Sequence, residues 1–546
     1  MQFNYDLIVV GGGVNGAGIA RDAAMRGIKT LLLEKKDFAY GATGACSGMI
    51  HGGVRYLLND YKTTIKSCVD SGYIQKIVPH LLFRIPFLIP ITNKALFEPM
   101  ETYFSVYDKW AEARNGKKHT RLTLEEAKRV EPGITAKIFG AITMDEWGID
   151  TFRLTLLNAI SASQAGATVR NHCEVVGLLR NSNNHIVGVR VRDNRRGVYE
   201  NITARLVMNA CGPWGSKTAS MADATVKIRP SKGVHLTLDR RISNVGIITD
   251  AIDGRQIFVI PHESTSIIGT TDDDYYGDLD DIPITEDEVE YLLQGIERVF
   301  PAVRNARILR AWAGIRPTIF GWHKNEDDLS RDHLVIDHAG EGADGLMSIT
   351  GGKLAAYRMM SEDAVNKIAE KLGVKTPCRT HELPLPGGDF TPDPSEVASQ
   401  FNISVLSARR LIFRHGSLVY KVLALLEENP AWRKTVCRCE PVLEAEIRYV
   451  CRNEWVEDLN DIRRRTRMGM GPCQGTRCAF HTAMILAEEK KEDAYTALAY
   501  LEDFLQRRFK GKAPVLIDSM LDQEELNQGI YQCLGRVSDY IGERKC

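Results

Sequence analysis

The chain has little that would place it across a membrane, outside the cell or on a nucleic acid. No apolar run in its 546 residues approaches the ~18–20 needed to span a bilayer. The opening MQFNYDLIVVGGG has neither the basic start nor the cleavage site of an export signal. Excess charge of either sign is absent: 70 Lys plus Arg balance 70 Asp plus Glu, which excludes the basic field of a nucleic-acid binder. Proline is sparse at 20 residues and no repeat of fixed period runs through the chain, so collagen-like and coiled-coil readings fall away. With 44% hydrophobic and 26% charged residues, extended disorder is excluded too. Twelve cysteines are present, but without an export signal they read as metal ligands or free thiols before disulfides. The expected location is cytoplasmic, or peripheral on the cytoplasmic face of the inner membrane. The length allows about three to five domains.

What is there begins with order. From Asp6 to Glu34 the pattern is strand (Leu7 to Val10), glycine turn (Gly11 to Gly16), helix (Ala17 to Arg26, stopped by Gly27) and strand (Thr30 to Glu34). Such a unit opens a doubly wound α/β domain. Strand-like runs recur at Ser266 to Gly269 and Gly345 to Thr350. Prolines and glycines cluster from Leu383 to Pro394 as they do in linkers, and the pattern beyond is mainly helical, with a late helix from Ala494 to Phe509. The apolar run from Val78 to Pro90 reads either as a segment that touches lipid or, given its prolines and Arg84, as an ordinary strand and loop.

Gly11-x-Gly13-x-x-Gly16 lies between strand and helix, the context a dinucleotide fingerprint requires. Its glycines permit a tight turn and close approach of backbone to pyrophosphate, and the helix N-terminus favours the phosphates. Glu34, 18 residues after Gly16, ends the second strand where a carboxylate can accept from both ribose hydroxyls, and it repels the 2′-phosphate of NADP. The fingerprint itself leaves NAD and FAD open.

Seven blocks in order then resemble a family. They are Gly11 to Asp22, Gly41 to Ser47, His51 to Leu57, Asn209 to Trp214, Ile268 to Asp272, Gly314 to Pro317 and Gly351 to Arg358. Together they are similar to the FAD-dependent glycerol-3-phosphate dehydrogenases of the D-amino-acid-oxidase-like flavoproteins, over about the first 385 residues. The resemblance implies a doubly wound, Rossmann-like FAD domain interleaved with a β-rich substrate domain, and FAD as cofactor. It implies FAD contacts at Gly11, Gly13, Val14, Asn15, Gly16, Glu34, Lys35, Thr43, Gly44, Ala45, Ser47, His51, Gly52, Val175, Gly212, Trp214, Gly314, Gly352, Lys353 and Leu354. Oxidation of sn-glycerol 3-phosphate to dihydroxyacetone phosphate is the implied activity, with a multisubunit complex and membrane quinone downstream.

A phosphorylated polyol needs cations in its pocket, and arginine's planar fork suits phosphate. Arg316, held in an Ile-Arg-Pro segment, is the leading candidate; Arg55, Tyr56, Arg331 and Lys353 occupy matching family positions. Oxidising an alcohol also requires a base for the hydroxyl proton, and His51 and His235 are the candidates. Arg316 could equally hold a carboxylate, so an amino acid, an opine or a 2-hydroxy acid is the alternative substrate.

Cys437-x-Cys439 and Cys473-x₄-Cys478 supply four thiolates for a [2Fe–2S] cluster or a zinc ion. Their spacing resembles the small helical ferredoxin module of bacterioferritin-associated ferredoxin, which favours the cluster; a redox- or iron-sensing electron-transfer module is a further alternative. The expected division is 1–385 for the flavoprotein region, 386–430 for a linker and helical segment, 431–490 for the ferredoxin-like module and 491–546 for a C-terminal helical region. Arg463-Arg464-Arg465, with acidic residues nearby, reads as a solvated face or a docking surface for an acidic redox partner.

Overall fold

The computed structural model describes residues 3–58, 60–321, 332–517, 519–535 and 537–538. Its first sheet is doubly wound and runs His333–Asp337, Leu346–Gly351, Tyr199–Asn209, Tyr5–Val10, Thr30–Leu33, Thr168–Arg170. Tyr5–Val10 lies parallel to both of its neighbours, Val10 opposite Leu33 on one side and Asn209 on the other. Parallel central strands are covered on both faces, which is why Leu7, Ile8, Val9 and Val10 are all apolar and buried with no alternation. The helix Val14–Met25 packs its alanine-rich face on this sheet. It starts three residues earlier than the sequence suggests, because the turn glycine Gly13 itself serves as the N-cap and no side chain caps it. Of the first-turn N–H groups, that of Val14 goes to Thr43 Oγ1, and the next ones face the groove for a ligand.

In the second sheet Ile228–Leu238 lies toward one end, paired with Thr265–Gly269 and Ile308–Ile319. The apolar run near residue 85 forms the interior strand Leu82–Ile91, paired with Gly140–Ile149 and Gly246–Asp250. Ile85, Phe87 and Leu88 are buried there, so the lipid-contact reading gives way to an ordinary strand.

The Pro/Gly stretch is fastened. Leu385 is buried, the Leu385 N–H donates to the Ile77 carbonyl, and Arg21 donates to the carbonyls of Thr380 and Leu383. Beyond it come the helices Val405–His415, Glu444–Asn453, Leu459–Thr466, Ala479–Lys490 and Ala494–Lys512, with a small hairpin of Thr435–Cys437 and Val442–Leu443. This module is docked by buried charge. Arg153 of the helix Thr151–Gln164 pairs with Glu454 at 2.6 Å, and Asp37 accepts from Arg464 and Arg465. The arginine run is thus no solvated face: Arg464 and Arg465 turn inward to Asp37, whose carboxyl the two guanidinium groups hold below the usual range against the effect of burial. Among the described residues no helix is long and apolar enough to cross a membrane.

Candidate functional site

The glycine turn builds a groove from backbone. Gly11 adopts φ 109°, and a Cβ there would stand 2.6 Å from the Ala210 carbonyl oxygen. A side chain at Gly16 would overlap the Gly11 carbonyl, so helix and strand can meet only through glycine. Gly13, Val14, Asn15, Glu34, Lys35, Thr43, Val175, Gly212 and Trp214 line the same groove. Glu34 accepts from the N–H groups of Gly12 (2.7 Å) and Lys36 (2.8 Å), which aims its carboxylate although burial pushes its pKa up. Thr43 Oγ1 accepts from the Val14 N–H (3.2 Å), tying the loop that follows to the helix start. The Lys35 ammonium sits 4.2 Å from the Trp214 ring. Trp214 Nε1 is buried and directed at the Asp280 carboxylate, which also takes Lys35.

At the far end of the loop two clusters face the second sheet. In the first, His51 Nδ1 accepts from the Gly53 N–H (3.1 Å), and Lys353 Nζ lies 4.8 Å from the Tyr56 ring, which also carries Arg55 at 5.1 Å. Lys353 is buried with no hydrogen-bond partner among the described residues, and burial pulls its pKa down to about 7. Burial, with the Lys353 and Arg55 charges, holds His51 well below its ordinary value, so the imidazole is neutral. Leu354 packs on the apolar cluster that holds Val14 and Ile50, Gly352 adopts φ 78°, and Gly314 comes so near Ala45 that a Cβ would stand 2.7 Å from its methyl.

In the second cluster Arg316 is clamped. Its Nη1 donates to Ser231 Oγ (3.1 Å) and Asp272 (3.0 Å), its Nη2 to Thr270 Oγ1 (3.1 Å) and the Thr271 carbonyl (3.2 Å). His235 stacks on Trp312 at 5.2 Å, and its Nε2 shares a hydrogen bond with Ser47 Oγ (2.9 Å). Burial first, then Arg316, drives His235 down to about 3. Arg331 lies outside the described residues. Gly44, Ala45 and Ser47 line a neighbouring cavity on the loop.

Two supporting carboxylates escaped the reading of the sequence. Glu146, buried, accepts from the Gly52 N–H (3.2 Å) and Tyr107 Oη (2.6 Å) and stands near Lys353. No local pattern marks it, since it comes from the strand Gly140–Ile149, nearly a hundred residues from Gly52. Asp272, which orients Arg316, was within reach of sequence reasoning because it closes the Ile268 to Asp272 block.

A family model described as FAD dependent oxidoreductase matches residues 6–358, and one described as the C-terminal domain of alpha-glycerophosphate oxidase matches residues 378–497. One subunit of the anaerobic glycerol-3-phosphate dehydrogenase of Escherichia coli strain K12 is 34% identical over 540 residues, spanning 97% of this chain and 96% of its own. This chain belongs to the FAD-dependent glycerol-3-phosphate dehydrogenase family. The corresponding protein of Haloferax volcanii, also an anaerobic glycerol-3-phosphate dehydrogenase subunit, is 32% identical over 97% of this chain and 90% of its own. A solved glycerol-3-phosphate dehydrogenase from Bacillus halodurans complexed with FAD matches with a TM-score of 0.74 at 26% identity, covering 94% of this chain and 96% of that one. The backbone cradle at Gly11 and Gly16, which a Cβ would fill, and the aimed Glu34 carboxylate fit the FAD of the family.

The cysteine module of this family member brings its thiols together as two pairs. The Cys478 thiol donates to Cys437, which holds Cys437 down to about 6, and burial raises Cys439, beside Cys473, to about 11. Gly471 packs against Cys439 so closely that no side chain fits there. Cys451 packs at the edge of the module core, and His481 is half-buried. Among the described residues the metal-type donors that all lie within 4.8 Å of one another are His172, Asp458 and Asp461. Arg195 and Arg464 already neutralise that trio.

Proposed function

We propose that the chain oxidises sn-glycerol 3-phosphate to dihydroxyacetone phosphate and passes the electrons through a cluster on Cys437, Cys439, Cys473 and Cys478 to partner proteins and membrane quinone. Its seat is then peripheral, on the cytoplasmic face of a membrane that the partners hold. The observation that carries the substrate reading is the Lys353 ammonium, buried and unpartnered beside Tyr56, Arg55 and His51. A buried cation without a hydrogen-bonded counter-charge is a site for an anion.

FAD, when bound, supplies the acceptor for the hydride. The protein's own residues do the rest. Lys353, Arg55 and Tyr56 hold the phosphate. Arg316, fixed by Asp272 and Ser231, is a rigid cation that orients the polyol end, since its fork is already engaged by protein groups. His51 takes the hydroxyl proton at Nδ1 in exchange for the Gly53 N–H, once the substrate's phosphate offsets the Lys353 and Arg55 charges that, with burial, lower its basicity. His235, stacked and tied to Ser47, supports the ring-side loop.

Turnover with an artificial acceptor, measured over glycerol 3-phosphate, proline, sarcosine and 2-hydroxyglutarate, tests the substrate. Activity confined to glycerol 3-phosphate is expected; activity only with a carboxylate substrate overturns the reading. For the cluster, two iron and two acid-labile sulfide per anaerobically purified chain are expected from the [2Fe–2S] stoichiometry. One zinc and no sulfide contradicts it.

A further inference from the structure

On the other side of the loop that walls the FAD groove lie two adjoining cavities, of about 270 Å³ and about 810 Å³. Tyr40, Gly41 and Ala42 line both the groove and the larger cavity. Arg310 of the strand Ile308–Ile319 and Arg463 of the helix Leu459–Thr466 line both cavities.

The charges there do not balance. Arg464 pairs with Asp37 and Asp461, Arg467 with Asp150 and Glu440, Arg195 with Asp458, and Arg507 with Asp503. Lys35 and Lys36 share Asp280, and Lys510 takes Asp281. Among the described residues every carboxylate on the two walls is therefore used, and Arg310 and Arg463 are left over. The Nε of each is buried with no hydrogen-bond partner among the described residues, and the Arg310 guanidinium touches only the Trp312 ring, at 5.8 Å. The two also repel: burial and then the charges of Arg310, Arg464 and Arg467 pull Arg463 down, while burial and then Arg464 bring Arg310 to about 10. Two such cations, half-buried and facing one cleft, are costly unless a ligand brings the missing charge.

We propose that this space is a second anion site, which takes a doubly charged phosphate, inorganic or a monoester, in the forks of Arg310 and Arg463. Two planar forks offer the paired donors that phosphate oxygens accept, and Thr237 stands on the same wall. The larger cavity leaves room for the carbon skeleton of an ester.

Equilibrium dialysis of the FAD-loaded full chain against radiolabelled inorganic phosphate, and separately against radiolabelled glycerol 3-phosphate, tests the proposal. The wild type is expected to bind one more equivalent of at least one ligand than the Arg310→Gln/Arg463→Gln double variant does. An extra equivalent of glycerol 3-phosphate identifies an ester site; an extra equivalent of inorganic phosphate alone identifies a free-phosphate site. Arg463→Lys, which keeps the charge and loses the fork, should weaken that equivalent about tenfold, and it covers the case in which the double variant fails to fold. A thermal readout separates binding from a structural role: in phosphate-free buffer Arg463→Gln should raise the Tm, and phosphate should raise the Tm of the wild type by more than that of the variant, which keeps only the Lys353 site. Equal stoichiometry and affinity for both ligands in wild type and variants overturns the proposal.

Discussion

The dinucleotide groove and the seam that docks the cysteine module are both buried and polar, yet they are built in opposite ways. The groove is made from neighbours in sequence: Gly11, Gly13, Gly16 and Glu34 fall within one strand-turn-helix-strand unit, and backbone N–H groups do most of the work. The seam is made from strangers: Arg153 meets Glu454 and Asp37 meets Arg465 across some three to four hundred residues. Binding chemistry that rests on backbone geometry needs a local motif, whereas a buried ion pair needs only that the folded chain bring two charges together.

The seam should break hardest. Arg153→Met leaves Glu454 buried with no ion-pair partner, and losing one member of such a pair costs about 3–5 kcal/mol. The denaturant midpoint should fall accordingly, and Arg153→Met combined with Glu454→Leu should recover most of the loss. If the single variant is as stable as the wild type, the seam is not held by this pair. The groove should yield less stability and more binding. Glu34→Gln removes a charge-assisted acceptor worth about 1.5–3 kcal/mol, a roughly tenfold to hundredfold loss of FAD affinity, with a smaller drop in the apo chain's Tm because the amide can accept from only one of the two backbone N–H groups. Full flavin content with an unaltered Kd would remove Glu34 from the ribose.

The smallest effect is a pH slope. Lys353 is charged below about 7 in the folded chain, so kcat/KM for glycerol 3-phosphate should decline as pH rises through about 7, and Lys353→Arg should flatten that decline. The sign for stability is the reverse. The unfolded chain holds this proton up to about 10.4, so between about 7 and 10.4 the unfolded state binds more protons and Lys353 contributes a gain in stability with rising pH. An unchanged profile in the arginine variant would show that Lys353 does not bear on the substrate.

The same contrast explains what was legible. Strand, turn and helix at the N-terminus follow from apolar runs and glycines, Ser266 to Gly269 falls in the strand Thr265–Gly269, and the run from Gly345 to Thr350 matches the strand Leu346–Gly351 displaced by one residue. The loop, the His51 cluster and Arg316 came from blocks in register. The inward turn of Arg464 and Arg465 was illegible, because a triple arginine with acids nearby looks the same in sequence whether its partners are solvent or Asp37. Glu146 was illegible for the same reason: it is one carboxylate among 70 acidic residues until a strand carries it beneath Gly52. The surplus charge at Arg310 and Arg463 emerges only when every neighbouring pair has been assigned.

The most direct test is the flavin absorbance of the FAD-loaded chain under anaerobic conditions, before and after one equivalent of sn-glycerol 3-phosphate. The account predicts bleaching of the oxidised flavin band in a single turnover with one equivalent of dihydroxyacetone phosphate formed, and the same bleaching in Cys473→Ser/Cys478→Ser. A flavin that binds in the groove and stays oxidised in the presence of glycerol 3-phosphate would contradict it.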